Sequence, residues 1–324
     1  MNLDWHRLSK VADNLSIVND LVEGFAVESL QTQSAFGQKW QQLAEAESND
    51  REEGWKSFQL DWFLSLYGFA TEDALVGYLH ELSEAPSVLD AGCGKGYKAA
   101  WLGSLCPKSD VLGVDFSNSV KAAAQRYQRH VNVSFMQADI AALPIVDDAI
   151  DLILCDQVLH HTVDPLNTLN EFFRILRPGG RLLTYVYRKK ALPRELLDEH
   201  FRAAVHGLTE EQIWDVARGM TELGKLLSEH DVELDFPDIQ PLGIKGGPQS
   251  LQRFLYWNFF KCFWNHDFGY AASLSTNYDW YSPSIAFRYS MEEFLAMIAS
   301  AGFDVEFLHQ EEACFSGRFV KTKT

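Results

Sequence analysis

Glycine and acidic residues come together where a short apolar run gives way to a helical pattern. Asp90 closes the run, and Gly92, Cys93 and Gly94 follow it almost directly. Glycines at such a turn let the backbone pass close to a ligand, and the N–H groups that begin the next helix can bind it. The carboxylate of Asp90 would repel a pyrophosphate and attract a cationic ligand. A glycine-rich loop alone is common to several classes of protein, so the neighbouring motifs must decide between them.

The next two apolar runs also end in acidic residues. Asp115 ends the run DVLGVD and precedes Phe116, and Asp139 ends VNVSFMQAD and precedes Ile140. An acidic residue at the end of the second strand of an α/β nucleotide-binding fold grips ribose hydroxyls. The dinucleotide fingerprint GxGxxG is not met, because the third glycine, Gly96, comes one residue early. The spacing therefore argues against a dinucleotide ligand.

Groups that can exchange protons lie at the end of the fourth apolar run. Cys155 and Asp156 end this run, and His160 and His161 come shortly after them. Imidazole titrates near neutral pH, so either histidine can serve as a general base. The alternative is that one or both histidines cap the following helix or fill a pocket wall.

Apolar runs alternate with helical patterns through the middle of the chain. The predicted strands are 87–90, 110–115, 131–139, 149–156 and 181–188. One intervening helix begins with Asp164 as its N-cap and Pro165 at its first position. This alternation predicts βαβ units and a parallel, doubly wound sheet. Two further strands, 303–310 and 318–322, are joined too closely for a crossover helix and should be antiparallel.

Helices are predicted on both sides of this alternating region. Residues 1–84 have helical spacing of their apolar positions. The capping boxes Thr209-x-x-Gln212 and Ser290-x-x-Glu293 each begin a later helix. The segment 249–264 is predicted as one helix that is apolar on nearly every side.

These features together resemble the class I S-adenosylmethionine (SAM)-dependent methyltransferases, in their small-molecule (quinone-type, methyltransferase-11-like) branch. The resemblance is carried by the AGCGKG turn, Asp115, Asp139, the DQVLHH and RPGG segments and the terminal hairpin. It covers residues 85–188 and 288–322. It implies an α/β fold with a Rossmann-like, doubly wound, seven-stranded sheet, an antiparallel last strand, and SAM as the cofactor.

The resemblance also implies roles for individual residues. The expected SAM-binding residues are Asp90, Gly92 and Gly94 at the methionine portion, Asp115 at the ribose, and Asp139 and Ile140 at the adenine, with Cys93, Phe116 and Cys155 beside them. The expected catalytic residues are His161, His160 and Asp156, because a histidine at this position helps to deprotonate the acceptor in that branch. No metal is expected, since no carboxylate or amide directly follows the fifth strand.

The segment between residues 191 and 287 departs from a minimal member of that family. An insertion at the carboxyl edge of such a sheet stands over the ligand site. We therefore expect a core at 85–190 and 288–324, a helical cap at 191–287 that forms the acceptor pocket, and a helical lid at 1–84 that includes Trp40. The proposed acceptor-binding residues are Tyr278, Trp280, Tyr281, Tyr289, Trp257 and Arg288. The alternative is that the rings build the insertion's own core, as at least half of them must.

Charge and cysteine usage disfavour several other classes. The 324 residues carry a formal net charge of -17, which disfavours a nucleic-acid partner. The five cysteines are scattered and form no CxxC pair, which disfavours a zinc site or a disulfide framework. No apolar run reaches the ~18 residues of a membrane span, and MNLDWHRLSK lacks the apolar core of a signal peptide. We therefore expect a cytoplasmic protein.

The function predicted from the sequence is metal-independent methyl transfer from SAM to a small molecule by in-line displacement. The acidic net charge and the many aromatic residues suit a neutral or cationic acceptor. An anionic acceptor would need basic side chains that bind its charge, for which Arg188, Arg253 and Arg288 are candidates. The alternatives are a tRNA or protein methyltransferase and a SAM-binding protein without catalysis. A nicotinamide oxidoreductase is disfavoured by Asp90 and the terminal hairpin. The sequence does not choose between a monomer and a homodimer.

Overall fold

The chain divides into two compact units. The computed structural model describes residues 31, 32, 34–37, 49–230 and 232–322. The first unit contains residues 56–188 and 285–322, and the second contains residues 189–284 and a short part of the N-terminal segment. Trp40 and much of the segment expected to form the lid lie outside the described residues.

Strands and helices alternate as far as residue 188 and resume after residue 285. The strands are β1 (Ser87–Ala91), β2 (Asp110–Asp115), β3 (Val133–Gln137), β4 (Ile150–Cys155), β5 (Leu176–Arg188), β6 (Glu233–Phe236), β7 (Gly247–Ser250), β8 (Arg288–Tyr289), β9 (Phe303–Gln310) and β10 (Cys314–Lys321). The helices are α1 (Asn49–Leu66), α2 (Glu72–Leu82), α3 (Tyr97–Leu105), α4 (Ser119–Arg126), α5 (Pro165–Ile175), α6 (Leu192–Val205), α7 (Glu210–Glu229), α8 (Leu251–Asn258), α9 (Gly269–Tyr281) and α10 (Met291–Ser300).

The first unit is built on a mixed sheet with the strand order β3-β2-β1-β4-β5-β10-β9. Strands β1 to β5 are parallel, whereas β10 is antiparallel to both β5 and β9. The two residues of β8 pair with Tyr187 and Arg188 of β5 and make an eighth strand. The doubly wound sheet with its antiparallel end is thus confirmed, and β8 is an addition to the seven predicted strands.

Apolar side chains cover both faces of this sheet. Neighbouring residues of a strand point to opposite faces, so Leu89 packs in one cluster with α5 and α10, while Val88 packs in another with α2 and α3. Parallel strands buried on both faces read as continuous apolar runs, which is why they were recognisable in the sequence. The polar residues that follow β1, β2 and β4 meet at the carboxyl edge of the sheet, where ligands bind in such folds.

The helix starts follow the predicted capping residues. Asp164 accepts a hydrogen bond from the N–H of Asn167 at 3.0 Å, and Pro165 is the first residue of α5. Both predicted capping boxes are present, at the start of α7 and at the start of α10. Each satisfies N–H groups that the first helical turn would otherwise leave unbonded.

Helix α5 ends at Ile175, before the RPGG segment, and β5 begins at Leu176. Pro178 favours an extended conformation at Arg177, which is incompatible with a further helical turn. The predicted strand 181–188 is therefore only the later part of β5.

The second unit contains α6 to α9 and a two-stranded hairpin, β6–β7, that the sequence did not predict. Its helices pack through aromatic rings. Trp214 of α7 and Tyr278 of α9 stack with their ring centroids 3.7 Å apart, and Val205 of α6 joins the same buried cluster. The unit therefore has apolar packing of its own.

The prediction of one helix over 249–264 is wrong. Helix α8 spans Leu251–Asn258, and the chain then continues without regular structure to about residue 265. Side-chain amides supply hydrogen bonds that a longer helix would have made within itself: Gln252 Nε2 donates to the carbonyl of Cys262 at 2.9 Å. A Cβ at Gly224 would lie 2.3 Å from that carbonyl, so the absence of a side chain in α7 makes room for the extended segment.

Candidate active site

The glycine-rich turn after β1 is held by backbone hydrogen bonds from the neighbouring strand. The N–H groups of Gly92 and Cys93 donate to the carbonyl of Val114, at 2.7 and 2.9 Å. Gly92 has a φ of +82°, and a Cβ there would lie 2.4 Å from Cγ2 of Val158. Both the backbone conformation and the close approach therefore require glycine at this position.

Asp115, at the end of β2, is joined to the same turn. Its Oδ2 accepts a hydrogen bond from the N–H of Gly94 at 2.8 Å, and its Oδ1 accepts from the N–H and Oγ of Ser117 at 2.8 and 2.6 Å. Burial raises the pKa of Asp115, and these hydrogen bonds oppose the rise. The carboxylate is thus fixed in orientation and has further lone pairs that can accept hydrogen bonds from ribose hydroxyls.

Asp90 is the carboxylate at this edge of the sheet whose negative charge is least balanced by hydrogen bonds and nearby cations. It is 3% exposed, and its Oδ2 has no hydrogen-bond partner among the described residues. Burial raises the pKa of Asp90 to about 7, the charge of Lys98 opposes the rise, and the charges of Asp156 and Asp115 add to it. A cationic ligand placed here would offset the cost of ionising this buried group.

Asp156 lies in a buried network that the sequence did not reveal. Its Oδ1 accepts a hydrogen bond from the hydroxyl of Tyr67 at 2.8 Å, and its Oδ2 forms an ion pair with Lys98. Burial lowers the pKa of Lys98, but the charge of Asp156, the hydrogen bond to it and the nearby Tyr97 and Asp90 together outweigh burial and raise this pKa. The sequence signal for this pair is a lysine in the otherwise uncharged first turn of α3. Because both of its oxygens are engaged, Asp156 is better suited to orienting Lys98 than to taking a proton from an acceptor.

The two histidines form a short 3₁₀ turn after β4. Nδ1 of His161 lies 2.6 Å from the carbonyl oxygen of Ile285, which can only accept a hydrogen bond. Nδ1 therefore carries the proton, and Nε2 is the nitrogen able to act as a base. His160 is fully buried, with its ring centroid 3.8 Å from that of Tyr187. These contacts favour His161 over His160 as the base.

The remaining SAM-site candidates differ in how far they face a ligand. Oδ1 of Asp139 accepts a hydrogen bond from the N–H of Ala141 at 2.9 Å, so this carboxylate also caps a turn. Ile140 and Cys155 both pack in the apolar cluster around Leu89, and Cys155 is fully buried. The expectation that the Cys155 side chain faces the donor is therefore corrected, because its thiol lies inside the core.

Two other candidates belong to the turns beside β1 and β2. The side chain of Cys93 is 7% exposed and packs in the cluster that contains Val88. The carbonyl of Phe116 accepts a hydrogen bond from Nε2 of Gln137 at 3.0 Å. Both residues thus help to hold the loops that carry Asp90 and Asp115.

The proposed acceptor-binding aromatic residues are mostly core residues of the second unit. Tyr278, Trp280 and Tyr281 are 1%, 3% and 1% exposed. Their rings pack against other side chains of the unit, and the hydroxyl of Tyr281 donates to the carbonyl of Lys261 at 2.8 Å. The expectation that these three rings line an open pocket is wrong, because the helices of the unit need them as packing.

The other three candidates are partly buried. Trp257 lies on α8 with the guanidinium carbon of Arg253 5.1 Å from its ring centroid. Arg288 and Tyr289 form β8 in the first unit. Burial raises the pKa of Tyr289, so its hydroxyl stays protonated at neutral pH. Their roles in acceptor binding remain predictions.

Three further observations concern metals, cysteines and membranes. The part of the chain that the structure describes contains no group of His, Cys, Asp and Glu that could hold a metal ion. All five cysteines are buried, and no disulfide bond joins any two of them. None of the described helices is both long enough and apolar enough to cross a bilayer.

Comparisons with known proteins found similar methyltransferases. Residues 82–231 match a family described as a methyltransferase domain. A probable S-adenosylmethionine-dependent methyltransferase of Mycolicibacterium smegmatis is 31% identical over 117 residues, which are 36% of this chain and 44% of the relative. The demethylmenaquinone methyltransferase of Thermus thermophilus is 36% identical over 105 residues, or 32% of this chain and 48% of the relative. The chain thus spans less than half of the length of these curated relatives.

Among solved structures, the chain is similar to a SAM-dependent methyltransferase from Aquifex aeolicus. The two are 16% identical, the alignment covers 80% of this chain and 92% of that chain, and the TM-score is 0.42. The family match at 82–231 contains β1 to β5 together with the glycine-rich turn, Asp90 and Asp115. Residues 82–231 therefore match a methyltransferase domain, and part of the chain is similar to SAM-dependent methyltransferases.

Proposed function

We propose that the protein transfers a methyl group from SAM to a small-molecule acceptor by in-line displacement, without a metal ion. The observation that carries this proposal is the buried carboxylate of Asp90, whose Oδ2 has no hydrogen-bond partner among the described residues. The methionine portion of SAM carries positive charge, which suits such a carboxylate. Asp115, held by Gly94 and Ser117, supplies the acceptor that ribose hydroxyls need.

The residues of the chain then have distinct tasks. Asp90 would face the cationic methionine portion and Asp115 the ribose. Asp139 and the N–H of Ile140 would contact the adenine. Bound SAM supplies an activated methyl group, and the chain supplies orientation and the exclusion of water. His161 would accept the acceptor's proton at Nε2, because the carbonyl of Ile285 holds the other nitrogen protonated.

Several observations support a small-molecule acceptor. A similar protein is named as a demethylmenaquinone methyltransferase. The net charge of -17 opposes binding to nucleic acid phosphates. We assign acceptor specificity to the second unit, which is inserted between β5 and β8, and we place the protein in the cytoplasm, where free cysteines stay reduced.

Donor binding is tested by calorimetric titration with S-adenosylhomocysteine. We expect one site per chain, and we expect Asp115→Ala to weaken binding by on the order of 1.5–3 kcal/mol, because charged hydrogen bonds to the ribose are lost. Asp304→Ala, at an exposed position of β9, is the matched control. Unchanged affinity in Asp115→Ala contradicts the assignment of the donor site.

The acceptor class is tested separately, with methyl-labelled SAM and fractionated cell extract. Label should enter the small-metabolite fraction and should persist in the presence of EDTA. Label that enters only the tRNA or protein fraction contradicts the small-molecule assignment while leaving the donor site intact. Label that disappears with EDTA contradicts the metal-independent mechanism.

A further inference from the structure

Charged side chains of both signs are buried together at the carboxyl edge of the sheet in the first unit. Asp90, Asp115 and Asp156 lie at the carboxyl ends of β1, β2 and β4 and are 3%, 6% and 7% exposed. Lys98, in the first turn of α3, is 9% exposed. We call these three carboxylates and one ammonium group the edge charge group. Negative charge is in excess within it.

The positive charge of this group is engaged by Asp156. Nζ of Lys98 forms an ion pair with Oδ2 of Asp156, and Nε2 of Gln157 donates to the same oxygen at 3.3 Å. The hydroxyl of Tyr67 donates to Oδ1 at 2.8 Å. Asp156 thus has a cation at one oxygen and hydrogen-bond donors at both, which compensate the cost of its burial.

Asp115 is satisfied in a different way, by neutral donors. The N–H of Gly94 donates to its Oδ2, and the N–H and hydroxyl of Ser117 donate to its Oδ1. These groups fix the carboxylate and solvate it without adding a positive charge. The negative charge of Asp115 therefore still acts on its neighbours.

Asp90 has the fewest partners of the three carboxylates. The N–H of Ala99 donates to it, whereas its Oδ2 has no partner among the described residues. Burial raises the pKa of Asp90, the charge of Lys98 lowers it, and the charges of Asp156 and Asp115 raise it further. An ionised Asp90 therefore carries a negative charge that the chain balances only in part.

We propose that the edge charge group distinguishes SAM from the reaction product S-adenosylhomocysteine, and that Asp90 is the residue responsible. This inference rests on the proposed function and adds a preference for the donor over its product. S-adenosylhomocysteine lacks the transferred methyl group and the positive charge on sulfur, but its amino-acid and adenosine portions are those of SAM. Where water is excluded, a partly balanced carboxylate gains more from the ligand with the additional positive charge. Loss of that charge then favours the replacement of product by fresh donor.

Calorimetric titration of the full chain with SAM and with S-adenosylhomocysteine at pH 8 tests this proposal. Wild type should bind SAM at least about tenfold more tightly than S-adenosylhomocysteine. In Asp90→Asn, which keeps the size of the side chain and removes its charge, the two affinities should lie within about threefold of each other. Asp115→Asn is the matched control. Because both ligands have the same ribose, both should weaken, and the preference for SAM should stay within about threefold of the wild-type value.

Sinefungin, which carries a charged amine in place of the methylated sulfur, gives a second measurement. It should bind to wild type more tightly than S-adenosylhomocysteine does and should lose this advantage in Asp90→Asn. The proposal is overturned if wild type binds S-adenosylhomocysteine as tightly as SAM, or if Asp90→Asn keeps the wild-type preference. Either result leaves the proposed function intact. If none of the three ligands binds to wild type, the donor site is wrong and the proposed function fails as well.

Discussion

The two units of this protein differ in how their buried charges are partnered. In the first unit Asp90 is 3% exposed, and one of its oxygens has no donor among the described residues. In the second unit Arg194 and Asp198 are 1% and 0% exposed, and they pair with each other at 2.7 Å. Burying an unpaired ion lowers folding stability, so such a residue is best explained by a ligand of opposite charge. The unpaired oxygen of Asp90 then indicates a cationic ligand for the first unit, whereas Arg194 and Asp198 balance each other's charge in the second.

The largest expected effect comes from a buried lysine that has a partner. Lys98→Met leaves Asp156 without its ion partner and removes the cation that restrains the pKa of Asp90. We expect the free energy of unfolding to fall by about 3–5 kcal/mol, as is typical when one member of a buried pair is removed. Chemical denaturation measures this, with exposed Lys108→Met as the control. A gain in stability in Lys98→Met would contradict the stabilising role assigned to the Lys98–Asp156 pair.

The next effect concerns turnover in the first unit. His161→Ala should lower the methyl-transfer rate about 100-fold, because the Nε2 base is lost. Affinity for S-adenosylhomocysteine should be unchanged, since the base serves the acceptor. His266→Ala, whose side chain is 95% exposed, is the control. Full turnover in His161→Ala would leave this residue as a structural contact to the carbonyl of Ile285.

The smallest effect is a pH dependence that arises from Asp90. Burial raises its pKa to about 7 from an ordinary value of 3.8, so between these values the folded protein holds more protons than the unfolded chain. Stability of the unliganded protein should therefore fall as pH rises from about 5 to about 7, by on the order of 1 kcal/mol per pH unit from this group. Thermal unfolding of wild type and Asp90→Asn across this range isolates the contribution. Identical slopes for the two proteins would contradict it.

Much of the first unit could be predicted from the sequence, because its signals are local. Buried parallel strands appear as apolar runs, and Asp164, Ser290 and Gly92 fix particular turns through backbone chemistry. The pairing of Lys98 with Asp156 could not be predicted, since it joins residues on different elements. It changes the interpretation of Asp156 from a catalytic residue to a partner of Lys98.

The second unit was harder to predict because aromatic residues are typical both of a ligand pocket and of a packed helical core. Tyr278, Trp280 and Tyr281 read as pocket lining in sequence, but in the folded chain they are packing residues. The apolar pattern of 249–264 could not show that side chains of Gln252 and Asn277 would replace helical hydrogen bonds. The burial of Arg194 and Arg202 was not predicted either. The arginines proposed from the sequence to bind an anionic acceptor were Arg188, Arg253 and Arg288.

The central claim is that Asp90 is kept ionisable in the core for the cationic portion of SAM, at a cost to folding. Measuring unfolding and SAM binding of Asp90→Asn at pH 8 tests this most directly. The account predicts opposite changes: the unliganded variant unfolds at a higher temperature than wild type, and its affinity for SAM falls at least tenfold, on the order of 1.4 kcal/mol. An Asp90→Asn variant that binds SAM as tightly as wild type would contradict the account.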